Sequence, residues 1–139
     1  MLDGTTGQGI GASVLRKEDK RFLNGEGRYV ADLARPRMLE AAIVRSPVAH
    51  ANSLKIDKPD GAEKRIFTAE DMAADGVQPI HVVSKFPGHR ASDYPHLATD
   101  KARFVGEAVA VCLAETRAGA EDIAAQTGLS FDPLPAVVD

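Results

Sequence analysis

The chain has no tryptophan, and its 139 residues include only five phenylalanines and two tyrosines. A core anchored on large aromatics is therefore excluded. The interior has to be assembled from Val, Ile, Leu and many Ala, which bury less area per residue. Modest stability in isolation, or a large face covered by a partner, is the expectation. There is one cysteine, Cys112. This excludes an intrachain disulfide, and it excludes a four-thiolate zinc or iron–sulfur site built from this chain alone. Cys112 lies inside Val109-Ala110-Val111-Cys112-Leu113-Ala114 and reads as a small buried hydrophobe. No apolar run approaches the ~20 residues that cross a bilayer. Met1 to Ile10 lacks the charged and apolar regions of a signal peptide, so a cytoplasmic location is the default expectation, with no membrane partner. A basic excess is also missing. The net charge of -3 gives no electrostatic reason to bind nucleic acid, and the charged run Arg16–Arg21 mixes both signs, as a solvated helix face does.

What is present organises into one α+β domain. Residues 1–12 are glycine- and threonine-rich and read as a flexible tail; residues 13–139 hold the domain. Gly7-Gln8-Gly9-Ile10-Gly11 resembles a dinucleotide loop, but no strand fits before it, so nucleotide binding is not expected. Lys17 to Leu23 reads as a short helix ended by Asn24-Gly25. Gly27 to Leu33 reads as a strand, and Arg35-Pro36-Arg37 as a loop. Met38 to Ser46 carries apolar residues in both phases, a pattern of burial on both faces, and Pro47 stops it. Ala51 to Asp57 alternates as a half-buried strand, followed by a turn at Pro59-Asp60-Gly61 and a short strand at Arg65 to Phe67. Thr68 caps a helix with acids in its first turn, ended by Gly76. Residues 77–101, broken by Pro79, Pro87 and Pro95, read as a long loop with a short strand at Ile80 to Val83; loops of this length are usually functional or partner-bound. Ala102 to Ala114 is the strongest strand signal, with Val105, Val109, Val111 and Leu113 in one phase and a bulge expected at Gly106. Thr116 caps a helix whose Ala120, Ile123, Ala124 and Thr127 share one face. Arg117 and Glu121 lie one turn apart on its exposed side, and Gly128 stops it. Leu129 to Phe131 returns as a strand, and Asp132-Pro133-Leu134-Pro135 exits extended.

Few residues suggest chemistry. His89 and His96 flank Asp93, but their spacing matches no standard metal-ligand pattern, so a polar exposed loop is expected. His50 follows a proline bend with no nucleophile elbow around it and reads as a structural histidine bonded to backbone. Glu107 interrupts an apolar phase beside Gly106; such a carboxylate must be paired or hydrogen-bonded, and the expectation is that it holds backbone amides or an arginine and fixes a bend. Arg28, Arg45 and Arg103 adjoin buried-looking strands. They either clamp an anionic ligand or pair with Asp32, Asp57 or Glu107. No catalytic, cofactor-binding or metal-ligating residue is assigned.

Seven short segments, in order, resemble the molybdenum hydroxylases: xanthine dehydrogenase, aldehyde oxidase and carbon monoxide dehydrogenase. They are Ile10–Asp19, Gly27–Asp32, Arg45–Ala51 (RSPVAHA), Phe67–Asp71, Arg103–Val111 (RFVGEAVAV), Ala114–Arg117 and Pro133–Asp139. The resemblance implies an α/β-hammerhead, a mixed β-sheet with two or three short helices, at the start of the molybdenum-binding large subunit. It also implies that molybdopterin, iron–sulfur clusters and FAD are bound elsewhere in the complete enzyme, and that this chain alone is not catalytic. Its partners would be the molybdenum-binding domains, with iron–sulfur and flavin subunits beyond them. The implied role is to pack on those domains and help shape the substrate funnel. Two alternatives stay open: a stand-alone non-enzymatic interaction module with the same fold, and a ligand-binding domain using the 77–101 loop. The segment Pro59–Ile66 is shorter than in the family, and Gln126-Thr127-Gly128-Leu129 replaces its usual valines.

Overall fold

Residues 15–136 are described by a computed structural model. They belong to two units, one ending at Pro36 and one beginning at Arg37, taken in turn. The glycine-rich start, including Gly7–Gly11, lies outside the described residues.

In the first unit, helix α1 spans Asp19–Leu23, two residues shorter than expected. Arg16 pairs with Asp19 at 3.0 Å. Gly25, at φ 71°, closes the helix, and its N–H reaches Phe22 O at 3.1 Å. The Phe22 ring stacks on Tyr29, with centroids 6.1 Å apart and planes 12° from parallel. Gly27 sits under this stack: a Cβ there would lie 2.8 Å from a Phe22 ring carbon, so only glycine lets the rings meet. The strand expected over Gly27 to Leu33 is not formed. Val30–Asp32 is a single 3-10 turn, because the Asp32 carboxylate takes the Tyr29 N–H at 2.9 Å. A short polar side chain has outcompeted the ladder for a backbone donor.

In the second unit a three-stranded antiparallel sheet runs in the order β1 (Glu40–Arg45), β6 (Ala108–Ala114), β3 (Ile66–Thr68). Helix α3 (Arg117–Gln126) lies on one face. Thr116 Oγ1 caps it by accepting Gly119 N–H at 3.1 Å, and Arg117 pairs with Glu121 at 2.8 Å, both as expected. Val44, Ile66, Ala110, Cys112, Ala114, Ala120 and Ile123 make the core between sheet and helix. The core is small-residue-rich, and the helix packs close: a Cβ on Gly119 would touch that of Ala114 at 3.3 Å. A second sheet pairs β2 (Ala51–Asp57) with β7 (Gly128–Pro133). Ser53 at φ 55° marks the register shift between Asn52 and Lys55. Directly after β3, helix α2 (Ala69–Ala74) starts at a reciprocal cap: Thr68 Oγ1 accepts Asp71 N–H and Asp71 Oδ2 accepts Thr68 N–H. The 77–101 segment contains a small hairpin, β4 (Ile80–His81) with β5 (Asp93–Tyr94). Every pairing among the described residues is antiparallel and falls in one of three small sheets, in place of the mixed sheet expected.

Two strand readings are corrected. The strand expected from Ala102 begins at Ala108. Residues 103–107 form a turn with Gly106 at φ 87°, and Val105 is 64% exposed rather than in phase with Val109. On β1, only the phase containing Val44 is buried; Ile43 is 45% exposed. The two-sided pattern is present in the sequence, but within this unit one side has no covering layer.

Candidate functional site

The segments Arg45–Ala51, Arg103–Glu107 and Leu134–Pro135 converge at the end of the central sheet. A bulge between Val44 and Arg45 ends the β1–β6 ladder, yet the two chains stay locked. Ser46 N–H donates to Glu107 O at 2.9 Å, and Gly106 N–H donates to Ser46 O at 2.8 Å. The Arg45 guanidinium reaches across to Gly106 O at 2.8 Å. Pro47 cannot continue a ladder, and Ser46 Oγ turns the chain by donating to Val48 O at 2.9 Å. Ala51 then bridges Ala102 in both directions, at 3.0 and 2.9 Å.

Glu107 is the buried charge of this knot, with 8% of its side chain exposed. One carboxylate oxygen accepts the Arg103 N–H at 2.6 Å. The other accepts the Arg103 guanidinium at 3.2 Å. Both oxygens thus face a single residue four positions back, which closes the turn around Phe104-Val105-Gly106. A carboxylate engaged in this way braces the bend; neither oxygen points at open space. The expectation for Glu107 holds. Of the arginine pairings considered within the second unit, Arg103 with Glu107 is formed, whereas Arg45 is held by a backbone carbonyl and not by Asp57 or Glu107.

His50 Nδ1 lies 2.8 Å from Pro135 O. A carbonyl only accepts, so Nδ1 carries the proton in this bond. Leu134 N–H returns to His50 O at 2.9 Å, and the exit segment is stitched to the 45–51 bend. His50 is the backbone-bonded histidine expected. Beside it, a cleft of ≈ 470 Å³ is lined by His50, Lys101, Arg103, Phe104 and Val105 among others. Its lining holds no hydroxyl, thiol or carboxylate side chain.

The remaining histidines lie in the polar exposed segment expected. Asp93 bonds His81 Nδ1 at 2.7 Å across the β4–β5 pair. His96 Nε2 donates to Gln78 O at 3.1 Å, and His89 sits exposed in the turn where its N–H meets Phe86 O. Among the described residues no three His, Cys, Asp or Glu side chains gather as metal ligands do. Cys112 is fully buried against Thr127 Oγ1 at 3.8 Å, and burial pushes its thiol up, which suppresses the reactive thiolate. Sequence reasoning missed the Lys58–Asp71 pair, 2.9 Å long; the Lys58 ammonium, then the Thr68 N–H, hold the Asp71 carboxyl below its ordinary range. Only the distance of thirteen residues hides it, since Asp71 is legible as an acid of the first turn.

Comparison with known proteins places this architecture. The family model described as aldehyde oxidase and xanthine dehydrogenase, a/b hammerhead domain, matches residues 24–135. The nicotine 6-hydroxylase large subunit of Paenarthrobacter nicotinovorans is 37% identical over 136 residues, 94% of this chain and 16% of that protein. The carbon monoxide dehydrogenase large chain of Hydrogenophaga pseudoflava is 35% identical over 127 residues, 88% of this chain and 15% of that protein. Among solved structures, quinoline 2-oxidoreductase from Pseudomonas putida 86 superposes with a TM-score of 0.83 at 42% identity, covering 92% of this chain and 17% of that one. The chain therefore spans about one sixth of the length of the relatives it matches. No helix among the described residues is long and apolar enough to cross a membrane. The family match, the antiparallel strands around α3 and the convergence of the RSPVAHA and RFVGEAVAV segments agree: the chain belongs to the aldehyde oxidase and xanthine dehydrogenase family, as its α/β-hammerhead domain.

Proposed function

We propose that this chain is the structural domain of a molybdopterin-dependent hydroxylase large subunit, packing on the molybdenum-binding part and helping to wall the route to it. Catalytic, cofactor-binding and metal-ligating residues lie in other domains on this reading. Iron–sulfur and flavin centres lie in further partners, and the assembly works in the cytoplasm. The observation that supports it best is the state of Glu107. It is the one buried carboxylate among the described residues, and both its oxygens are turned inward onto Arg103. A group so engaged fixes a bend and has no oxygen free to move a proton on a substrate.

A molybdenum–pterin group does not fit the described residues. Such a group needs a cradle of convergent donors, yet no buried side-chain nitrogen or oxygen among these residues lacks a partner. The cleft beside His50 is open, with Arg103 already committed to Glu107 and to Lys101 O at 3.1 Å. No reaction step is assigned to this chain. Binding sites form preferentially where domains meet, which is where a wall of the substrate route would lie. The chain purified alone should carry no molybdenum by elemental analysis and no dehydrogenase activity. Stoichiometric metal or pterin on the isolated chain would overturn the reading.

A further inference from the structure

The two faces of the central sheet differ in cover but not in chemistry. The face toward α3 presents Val44, Ala110, Cys112 and Ile66 and is sealed. The opposite face presents Leu39, Ala41 and Ile43 from the β1 side, Val111 and Leu113 from β6, and Phe67 from β3. The register sets Ala41 opposite Leu113, and Ile43 and Phe67 on either side of Val111. None of these six is polar. An antiparallel sheet that meets water on one side alternates apolar with polar residues; this one is apolar in both phases. Leu39 is 50% and Phe67 38% exposed. A groove of ≈ 500 Å³ runs from Leu39, Phe67 and Leu113 toward the start of α3, where Lys64, Arg65 and Glu115 give it a charged rim.

The size of the face says what covers it. Strands of six, seven and three residues, ~4.8 Å apart, present roughly 250 Å². Two such faces stacked would bury about 500 Å² in total, under the ~1,000 Å² that a specific interface between separate molecules needs. A second copy is therefore a poor occupant. A layer in the same polypeptide or subunit does not need that area, because its effective concentration replaces affinity. The relatives carry such a remainder, since this chain matches only 16% of one and 17% of another.

We propose that the Leu39–Ile43–Phe67 face is the docking surface for an apolar layer supplied by the rest of a molybdenum hydroxylase large subunit. This rests on the function proposed above. It adds which side of the domain is turned inward: the sheet face opposite α3, not the exposed 77–96 hairpin.

The test replaces the matched segment of the quinoline 2-oxidoreductase large subunit with this chain, and compares it with the same chimera carrying Ile43→Lys or Leu39→Lys. Val83→Lys, on the hairpin, is the control. The unmodified and Val83→Lys chimeras should melt as one cooperative body. The Ile43→Lys and Leu39→Lys chimeras should melt in two steps and be cleaved by protease about tenfold faster, while the isolated chain with the same changes keeps its own midpoint. Leu39 precedes the strand, so Leu39→Lys remains informative where Ile43→Lys disturbs folding. If both lysine chimeras melt like the unmodified one, the face is wrong and the structural-domain reading stands. If the unmodified chimera itself does not assemble, that reading fails and the docking face goes with it. If the isolated chain sediments as a dimer that Ile43→Lys dissociates while the chimeras are indifferent, the occupant is a second copy and the proposal is overturned.

Discussion

The sheet under α3 and the hairpin segment both carry apolar side chains, densely in the first and sparsely in the second, and their fates are opposite. On β6 no residue from Ala108 to Ala114 is exposed. From Val77 to Tyr94 every residue except Ser84 is exposed, including Ile80, Val83 and Phe86. The first region holds itself by removing apolar surface from water and by two flanking ladders. The second is held by a two-residue ladder, the His81–Asp93 contact and the His96–Gln78 bond, and it is anchored where Leu97 and Ala98 go under. Apolar composition alone does not produce burial. A segment must also have neighbours to pair with on both edges, and three prolines deny that to residues 79–95. The stability of the unit should therefore reside in the first region, with the second opening locally.

The largest break in this contrast should come from Ile66→Ala. Ile66 is 1% exposed between β6 and α3, and urea denaturation should show a loss of about 2–5 kcal/mol. A Phe86→Ala change, on an exposed hairpin side chain, should leave the same curve in place. Next in size is Glu107→Ala, which leaves the Arg103 N–H without its acceptor and should cost about 1–3 kcal/mol. An unchanged denaturation midpoint in that variant would show that the brace is not holding the bend. Thr68→Ala removes one half of the α2 cap and should cost about 1 kcal/mol by the same measurement.

A pH titration sharpens the picture at α2. The folded chain depresses the Asp71 pKa, first through Lys58 and then through Thr68 N–H. Its contribution is thus complete above the unfolded value of about 3.9 and is lost as pH falls through the lower folded value. Unfolding free energy should decline below about pH 4, less steeply in Asp71→Asn. The smallest effect is expected from His81→Ala. Both partners of its contact are more than half exposed, so the global midpoint should stay put while amide exchange in Ile80 and Tyr94 speeds up. A drop in the global midpoint would show the hairpin to be part of the cooperative core.

Much of this contrast was legible beforehand, and the errors share a cause. The caps at Thr68 and Thr116, the helix face Ala120–Ile123–Ala124 and the bracing role of Glu107 all follow from residues within one or two turns of each other. Two readings fail where a distant or competing partner decides. Periodicity puts Val105 in phase with Val109, but the Arg103–Glu107 clamp turns the chain before the strand starts. Tyr29 reads as part of a strand, but Asp32 claims its N–H. The His81–Asp93 contact is not legible at all, since strand pairing delivers it. The two-sided apolar pattern of β1 was read correctly as a demand for cover on both faces; within this unit only α3 supplies it.

By itself the sequence determined an aliphatic core, the absence of an intrachain disulfide, three short helices, two of them with threonine caps, and the family to which the seven segments belong. These depend on composition and on periodicity within a few residues, where local hydrogen bonding and side-chain spacing leave little choice. Tertiary structure alone decided that Arg45 would grip the Gly106 carbonyl, that His50 would hold the exit segment, and that one apolar face would be left open. Those outcomes depend on which strands become neighbours across sixty or more residues, and the free energy of that pairing is shared among contacts no local pattern specifies.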